Sequence, residues 1–456
     1  MSKAVAPKRT KAVAPKRAKA AAPKREVAAA PKHEGVKQPE RPPLLQVLGP
    51  GLITGASDDD PSGIATYSQA GAQFGFGLTW VMLFSWPLMC AIQEISARIG
   101  RVTGRGIAGN LKRHYPAPVV YSIVLLLLVA NIINLGADLG AMGAALKLLI
   151  GGPQRVYVAV FGLITVLLEV FSRYSRYVSI LKWLTLSLFA YVGVVFVVKM
   201  PWPEVARSLV IPQVSFTPAY MTVLVAILGT TISPYLFFWQ AAGEVEEIKE
   251  QPEAKPLRRA PEQASEELRR IRVDTWVGMG FSNAVALFII LTTAATLHAH
   301  GVTDIQTSAQ AAEALRPVAG KLAFTIFAVG IIGTGFLAIP VLAGSAAYAL
   351  GETFGWHVGL SRKLSRAKAF YATIAVATLL GVLLNHSPID PIKALFWSAV
   401  INGVVAVPVM ALMMHLSSHR AAMGEFKLHR GLKVVGWAAT GVMAAAAVGL
   451  FATWGK

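Results

Sequence analysis

Three consecutive aspartates, Asp58, Asp59 and Asp60, interrupt the first long apolar run of the sequence, and Pro-Ser-Gly follows at 61–63. Charged side chains within a membrane span are costly, rare and usually functional. Proline and glycine at the same point predict a break in the helix, where backbone carbonyl oxygens are freed to line a cavity. Carboxylate and carbonyl oxygens are the ligands that hard divalent cations prefer. We therefore predict a cation site at Asp60, to which Asp58 and Asp59 add attraction through space. A simple kink at Pro61, with Asp58 and Asp59 at the outer interface, is the alternative.

A second interruption lies in the sixth apolar run, which reads Gly-Thr-Thr-Ile-Ser-Pro-Tyr at 229–235. Breaks in the first and sixth spans are expected where two inverted five-helix repeats meet at a substrate site. This pattern predicts that residues near Ser233 face Asp60 across the site.

The elements that position both breaks are apolar helices. The chain has 456 residues, of which 54% are hydrophobic and 15% charged, whereas soluble domains are about 25% charged. Runs of roughly 20 apolar residues, long enough to cross a bilayer, recur eleven times. They are centred near Gly55, Phe84, Ala130, Thr165, Phe189, Leu228, Ala286, Gly333, Thr378, Val404 and Ala444. We predict an all-α polytopic membrane protein with eleven transmembrane helices and no resident cofactor.

The formal charge of +19 reports topology rather than nucleic-acid binding, because Lys and Arg crowd alternate connections between spans. They follow spans two (Arg98, Arg101, Arg105), four (Arg173, Arg176), six (Arg258, Arg259, Arg269), eight (Arg362, Lys363, Arg366) and ten (Arg420, Lys427, Arg430). These connections are predicted to be cytoplasmic. The N-terminus is then inside and the C-terminus outside a cell inner (plasma) membrane, with no cleavable signal peptide expected.

Two polar segments flank or divide the spans. Residues 1–43 carry an imperfect Ala/Pro/Lys repeat and are predicted to form a disordered cytoplasmic tail, which anionic lipid could attract. Residues 244–274 mix both charge signs with three prolines and are predicted to form a cytoplasmic loop with a helical end. The chain has no glycine-rich phosphate loop, and we expect no enzyme activity. The single cysteine, Cys90, excludes a disulfide scaffold.

The sequence resembles the NRAMP family of divalent metal transporters from Gly49 to about Trp454. The resemblance rests on Gly-Pro-Gly at 49–51, Asp-Pro-Ser-Gly at 60–63 and the run from Gln93 to Gly104. It implies a LeuT-like inverted repeat, formed by spans 1–5 (residues 44–200) and spans 6–10 (residues 201–416), with an eleventh span within 417–456.

Three positions depart from the family pattern. The family usually has Asp-Pro-Gly-Asn in the first broken helix, whereas this chain has Asp60 and then Gly63 in place of the Asn ligand. It usually has Met-Pro-His in the sixth helix, where this chain has Ser233, Pro234 and Tyr235. In the third helix Asp138 is kept, but Ala141 replaces a Glu tied to proton movement.

The three departures all change which metal the site prefers or how well it carries protons. A thioether favours softer metals such as manganese or iron, whereas magnesium needs oxygen ligands and keeps its water shell. A tyrosine is also a poor proton carrier near neutral pH compared with histidine. The pattern is similar to the NRAMP-related magnesium transporter branch. It implies uptake of Mg²⁺, with Mn²⁺ also possible, without proton coupling; the alternative is a proton-coupled Mn²⁺/Fe²⁺ transporter.

Candidate metal ligands are oxygen-bearing side chains or backbone positions at the two breaks and on facing helices. They are Ser57, Asp60, Gly63, Asp138, Thr230, Ser233 and Asn402. Asn131 and Asn134 share a helical face with Asp138 and either line the site or form a hydrogen-bond network between helices. Gln93, Glu94 and Glu169 either line the inner exit or pair with Arg98 or Arg173.

Two other functions remain open from the sequence. A sodium-coupled carrier of amino acids or similar organic substrates would share the inverted repeat, but three aspartates at the break would repel a substrate carboxylate. A membrane sensor or scaffold would use the tail and the 244–274 segment as partner-binding parts and would need no ion site.

Overall fold

The structure, a computed structural model, describes residues 50–171 and 184–454. The predicted tail at 1–43, Arg173 and Arg176 lie outside these residues. The described part consists of α-helices and 3₁₀ helices with their connections, and no strand occurs within it. The predicted all-α class is therefore confirmed for the described part of the chain.

The helices before the second break include both halves of the first broken span. They are α1 (Pro50–Asp58), α2 (Pro61–Phe74), α3 (Thr79–Thr103), α4 (Ile107–His114), α5 (Ala117–Ile150), α6 (Gln154–Phe171), α7 (Phe189–Val197), α8 (Trp202–Val210) and α9 (Pro218–Thr231).

The helices after the second break complete the chain. They are α10 (Pro234–Glu250), α11 (Ala264–Thr296), α12 (Ser308–Glu313), α13 (Arg316–Ala319), α14 (Ala323–Phe354), α15 (Lys368–Leu384), α16 (Pro391–Ser418), α17 (Arg420–Met423) and α18 (Arg430–Thr453). Short 3₁₀ helices join several of them.

Eight segments of the described residues are long and apolar enough to cross a membrane, which fits a multi-pass membrane protein. All eleven predicted centres lie in helices. The counts differ because α2 and α3 form one continuous segment of 43 residues, while α7 and α15 lie in apolar helices shorter than 18 residues. The figure of eleven spans stays a prediction.

Both predicted breaks are present. The first separates α1 from α2, with Asp60 as the extended residue before Pro61 (φ −71°, ψ 170°). The second separates α9 from α10, with Ser233 extended before Pro234 (φ −84°, ψ 132°). Proline at the first position of each second half-helix needs no N–H partner there, which is why each helix restarts at that residue.

The predicted loop at 244–274 is mostly helical, which corrects that boundary. Because α10 runs to Glu250 and α11 begins at Ala264, the connection is only 251–263. Arg270 explains the helical extensions: it pairs with Glu244 at 2.6 Å and with Glu247 at 2.9 Å across the two helices.

Close helix packing surrounds the breaks. α11 packs against α1, α2 and α3, α5 packs against α14 and α16, and α9 packs against α16. Gly55 of α1 lies directly on the backbone of Gly278 in α11, where a Cβ atom would overlap it. The breaks are therefore held in the interior of the helical bundle.

Candidate functional site

Asp60 uses its two carboxylate oxygens differently. Oδ1 accepts hydrogen bonds from the Gly63 backbone N–H and from the Ser62 hydroxyl, both at 2.7 Å. These local bonds cap the first turn of α2 and fix the side chain. Oδ2 instead accepts from Asn134 Nδ2 and from Tyr235 Oη, both at 3.2 Å. One oxygen therefore holds the turn, and the other faces the neighbouring helices.

Asp138 is the second carboxylate at this place. Asn134, one helical turn earlier on α5, donates from Nδ2 to Asp138 Oδ2 at 3.2 Å. The other oxygen, Asp138 Oδ1, is buried and has no hydrogen-bond partner among the described residues. Asp60 and Asp138 are at most 1% exposed, so two buried carboxylates lie on either side of one amide group.

Asn402 of α16 reaches this group through Asn134 rather than through Asp60. Its Nδ2 donates to Asn134 Oδ1 at 3.2 Å. Asn402 Oδ1 is buried and has no hydrogen-bond partner among the described residues. A continuous chain of polar side chains therefore runs from the first break through α5 to α16.

The second break contributes in another way. The Ser233 hydroxyl donates to the carbonyl oxygens of Gly229 and Thr230 at 2.7 and 2.8 Å, so it satisfies the end of its own helix. Thr230 also faces the first break, since a Cβ atom built on Gly63 would lie 3.2 Å from Thr230 Oγ1. Gly63, Thr230 and Ser233 are all buried.

Asp58 and Asp59 form a separate acidic pair. The Ser282 hydroxyl of α11 lies 2.5 Å from Asp58 Oδ2 and 3.1 Å from Asp59 Oδ1. Both carboxylates are at most 3% exposed. They are therefore buried against α11, not placed at an outer interface. The neighbouring Ser57 Oγ is buried without a hydrogen-bond partner among the described residues.

Sequence reasoning did not choose between two roles for the asparagines, and the structure separates them. Asn131 donates to Leu342 O at 2.9 Å and to Ser345 Oγ at 2.7 Å, both on α14. It therefore belongs to a helix-helix network. Asn134 joins the two carboxylates. The three- and four-residue spacing of Asn131, Asn134 and Asp138 placed all three on one face, but it gave no signal for this difference.

Two further contacts were missed as site features. The sequence indicates Tyr235 only as a replacement for a histidine, whereas its hydroxyl donates to Asp60 Oδ2. Ser282 lies in the seventh apolar run, and its sequence surroundings give no signal of the acidic pair.

Gln93, Glu94 and Glu169, predicted either to line the inner exit or to form ion pairs, differ in the partners of their side chains. Glu94 pairs with Arg98 at 2.6 Å and accepts from Trp276 Nε1 at 3.3 Å, so ion pairing describes it. Gln93 and Glu169 are buried, and their side-chain polar atoms have no hydrogen-bond partner within residues 50–171 and 184–454.

The donor set at Asp60 is made of oxygens and amide groups. Within the described residues, no group of three or more His, Cys, Asp or Glu side chains is arranged to hold a metal. Two carboxylates with threonine and asparagine side chains nearby are oxygen ligands of the kind that a hard cation accepts.

The sequence model described as natural resistance-associated macrophage protein-like, or Nramp, matches residues 51–453. This chain belongs to the Nramp family. Nramp proteins are transporters of divalent metal ions, so this protein is a membrane transporter and not an enzyme.

Named Nramp relatives cover almost all of the chain. The divalent metal cation transporter MntH of Klebsiella pneumoniae subsp. pneumoniae is 26% identical over 409 residues, which is 88% of this chain and 92% of that protein. The MntH protein of Deinococcus radiodurans is 27% identical over 410 residues, 86% of each chain.

Solved structures of other transporters have the same fold as this chain. The manganese transporter of Eremococcus coleocola, bound to an aromatic bis-isothiourea compound, superposes with a TM-score of 0.71 at 18% identity, covering 90% of this chain and 87% of that one. The transporter MhsT with L-phenylalanine superposes with a TM-score of 0.56 at 14% identity, covering 88% of this chain and 98% of that one. The Nramp chain therefore shares its fold with LeuT-like transporters.

Proposed function

We propose that this Nramp protein takes up Mg²⁺, with Mn²⁺ as a second possible cargo, by alternating access and without proton coupling. The observation that carries the proposal is the pair of buried carboxylates, Asp60 and Asp138, on either side of Asn134. Ser233 at the second break brings no sulfur ligand. An oxygen-only site favours a hard cation over softer metals.

The proposed site has carboxylates on one side and neutral oxygens on the others. Asp60 and Asp138 supply charge, and the remaining members line the path of the ion. These are Ser57, Gly63, Thr230, Asn402 and the backbone of Ser233, whose hydroxyl bonds its own helix. Gly63 lies so close to Thr230 that a Cβ atom there would be 3.2 Å from Thr230 Oγ1, so a side chain at residue 63 would crowd the first break.

The proposed topology has eleven spans in two inverted repeats, a cytoplasmic N-terminus and an external C-terminus in the plasma membrane. The two breaks, each followed at once by proline, support the repeat. Inward movement of a dication is favoured by an inside-negative potential by about 4.6 kcal/mol per 100 mV, from about 2.3 per charge.

A second candidate is a proton-coupled Mn²⁺ or Fe²⁺ transporter. The comparisons support it better on cargo, because the relatives are called divalent metal cation transporter MntH and manganese transporter. Two buried carboxylates joined by one amide would also give a proton a place to bind. The sensor or scaffold alternative is not carried further, since the family is one of transporters.

Proteoliposomes separate the two candidates. We expect vesicles holding the full-length protein to take up Mg²⁺ faster than Mn²⁺ or Ca²⁺, with no acidification of an enclosed pH dye. Protein-free vesicles and a valinomycin-imposed potential of either sign are the controls. Acidification that tracks metal entry, or Mn²⁺ entry in preference to Mg²⁺, would favour the second candidate.

A further inference from the structure

Asn134 occupies the central position of the polar chain. Its Nδ2 donates to Asp60 Oδ2 and to Asp138 Oδ2, and its Oδ1 accepts from Asn402, each at 3.2 Å. All four side chains are at most 1% exposed, so bulk solvent does not reach these bonds. No other described side chain contacts both carboxylates through hydrogen bonds.

The orientation of the Asn134 amide follows from which of its atoms donate and which accept hydrogen bonds. Carboxylate oxygens accept hydrogen bonds, so the group that faces both of them is the NH₂ donor. The carbonyl oxygen is thereby directed at Asn402. With this orientation, both hydrogens of the amide point at the oxygens that a cation would seek.

At Asp60 Oδ2 and Asp138 Oδ2, a cation competes with the amide in its present orientation. The amide hydrogens carry partial positive charge and repel a dication approaching Asp60 and Asp138. Rotation by half a turn about the terminal bond of asparagine exchanges nitrogen and oxygen, and this torsion has a broad, roughly two-fold profile. The turned amide would present Oδ1, an oxygen ligand of the kind that Mg²⁺ and Mn²⁺ accept.

Asn402 makes the rotation possible without losing the bond between the two amides. In the present orientation its Nδ2 donates to Asn134, while its own Oδ1 has no hydrogen-bond partner among the described residues. If both amides turn together, Asn402 Oδ1 accepts from the NH₂ group of Asn134. The bond between the two amides is thereby kept, and Asn402 Nδ2 moves to the place that its unpaired oxygen holds in the present orientation.

We infer that Asn134 is a turning ligand of the cation site, which holds Asp60 and Asp138 through its NH₂ group in one orientation and offers its carbonyl oxygen to a divalent cation in the other. The inference rests on the proposed binding of a divalent cation between these carboxylates. Asn402 acts in it as the positioning partner, through Asn134.

Mn²⁺ binding to the purified full-length protein tests the ligand role directly, because free Mn²⁺ can be counted by electron paramagnetic resonance. We expect Asn134→Ala to weaken binding by roughly 10- to 100-fold, as losses around metal sites do. Asn134→Asp offers an oxygen in every orientation and should bind at least as tightly as the wild type. Asn131→Ala is the matched control on the same helix and should stay within about twofold, since the hydrogen bonds of its side chain to described residues all go to α14.

Two results would overturn the inference. One is wild-type Mn²⁺ affinity in Asn134→Ala. The other is an Asp variant as weak as the Ala variant, because the amide would then be needed as a donor and not as an oxygen ligand. If Asn134→Ala does not fold, the Asp variant alone decides by the same criterion.

A failure of the proposed transport function can be told apart from a failure of the inference about Asn134. Wild-type protein that binds Mn²⁺ in detergent, but moves neither Mg²⁺ nor Mn²⁺ into vesicles, contradicts transport, while the order of the variants still decides the role of Asn134. Wild-type protein that binds neither ion overturns both.

Discussion

The two helix breaks are both followed at once by proline but use opposite hydrogen-bond chemistry. At the first break the residue before proline is an aspartate, and at the second it is a serine. A carboxylate only accepts hydrogen bonds, so Asp60 draws donors from its own turn, from α5 and from α10. A hydroxyl also donates, and Ser233 directs its proton to the carbonyls of its own helix. The capping side chain of the first break therefore bonds neighbouring helices, whereas the capping side chain of the second break bonds its own helix.

This difference teaches that a broken helix is not by itself an ion site. The free carbonyls at a break can be satisfied within the chain, as those of Gly229 and Thr230 are by Ser233. The charge of the capping residue decides whether the break recruits other helices. We expect most of the binding energy to lie at the first break.

The largest expected effect is at Asp60. Asp60→Asn removes the negative charge while keeping the shape of the side chain, and uptake of Mg²⁺ and Mn²⁺ into proteoliposomes should fall to the protein-free rate. Asp304→Asn, an exposed position whose carboxylate accepts from Gln306, is the matched control and should transport normally. Uptake near the wild-type rate in Asp60→Asn would show that the first break does not carry the ion.

A change of selectivity is the next largest effect and concerns the second break. Ser233→Met introduces a thioether, which favours softer metals, and removes the hydroxyl bonds to the two carbonyls. We expect Mn²⁺ and Cd²⁺ uptake to rise relative to Mg²⁺ when the three ions are compared in the same vesicles. An unchanged ratio of rates would mean that residue 233 does not face the ion.

The smallest expected effect on uptake comes from the hydroxyl of Tyr235, which is compared with the hydroxyl of Ser233 on the other side of Pro234. Tyr235→Phe removes a hydrogen bond to the carboxylate of Asp60, and bonds to charged groups contribute about 1.5–3 kcal/mol. We expect the Mg²⁺ concentration for half-maximal uptake to rise roughly tenfold, since 1.4 kcal/mol corresponds to tenfold in affinity.

Ser233→Ala is the control for that variant, because it also deletes one hydroxyl beside Pro234. Its hydroxyl bonds only its own helix, so it should lower stability by about 1 kcal/mol and leave half-maximal uptake within about twofold. If the two variants shift uptake equally, the contrast between the breaks does not govern ion affinity.

Much of this arrangement was predictable along the chain. The apolar runs, the prolines at 61 and 234 and the aspartates beside the first break indicated a polytopic helical protein with two interrupted spans. The matching helix breaks bear this out. The predicted loop over 244–274 is too long, because ion pairs such as Arg270 with Glu244 extend the helices beyond the apolar residues. The high content of charged residues in this segment predicts a loop when these pairs are not known.

The sequence by itself determined where helices run and where they break, because apolar period, proline and glycine act over neighbouring residues. Only the tertiary structure decided which polar groups meet. Asn131 and Asn134 are the same residue type, less than one turn apart on one helix. One bonds α14, and the other lies between two carboxylates. Such partners come from residues up to 268 positions away in the chain, so their choice depends on how the helices pack and not on any local pattern.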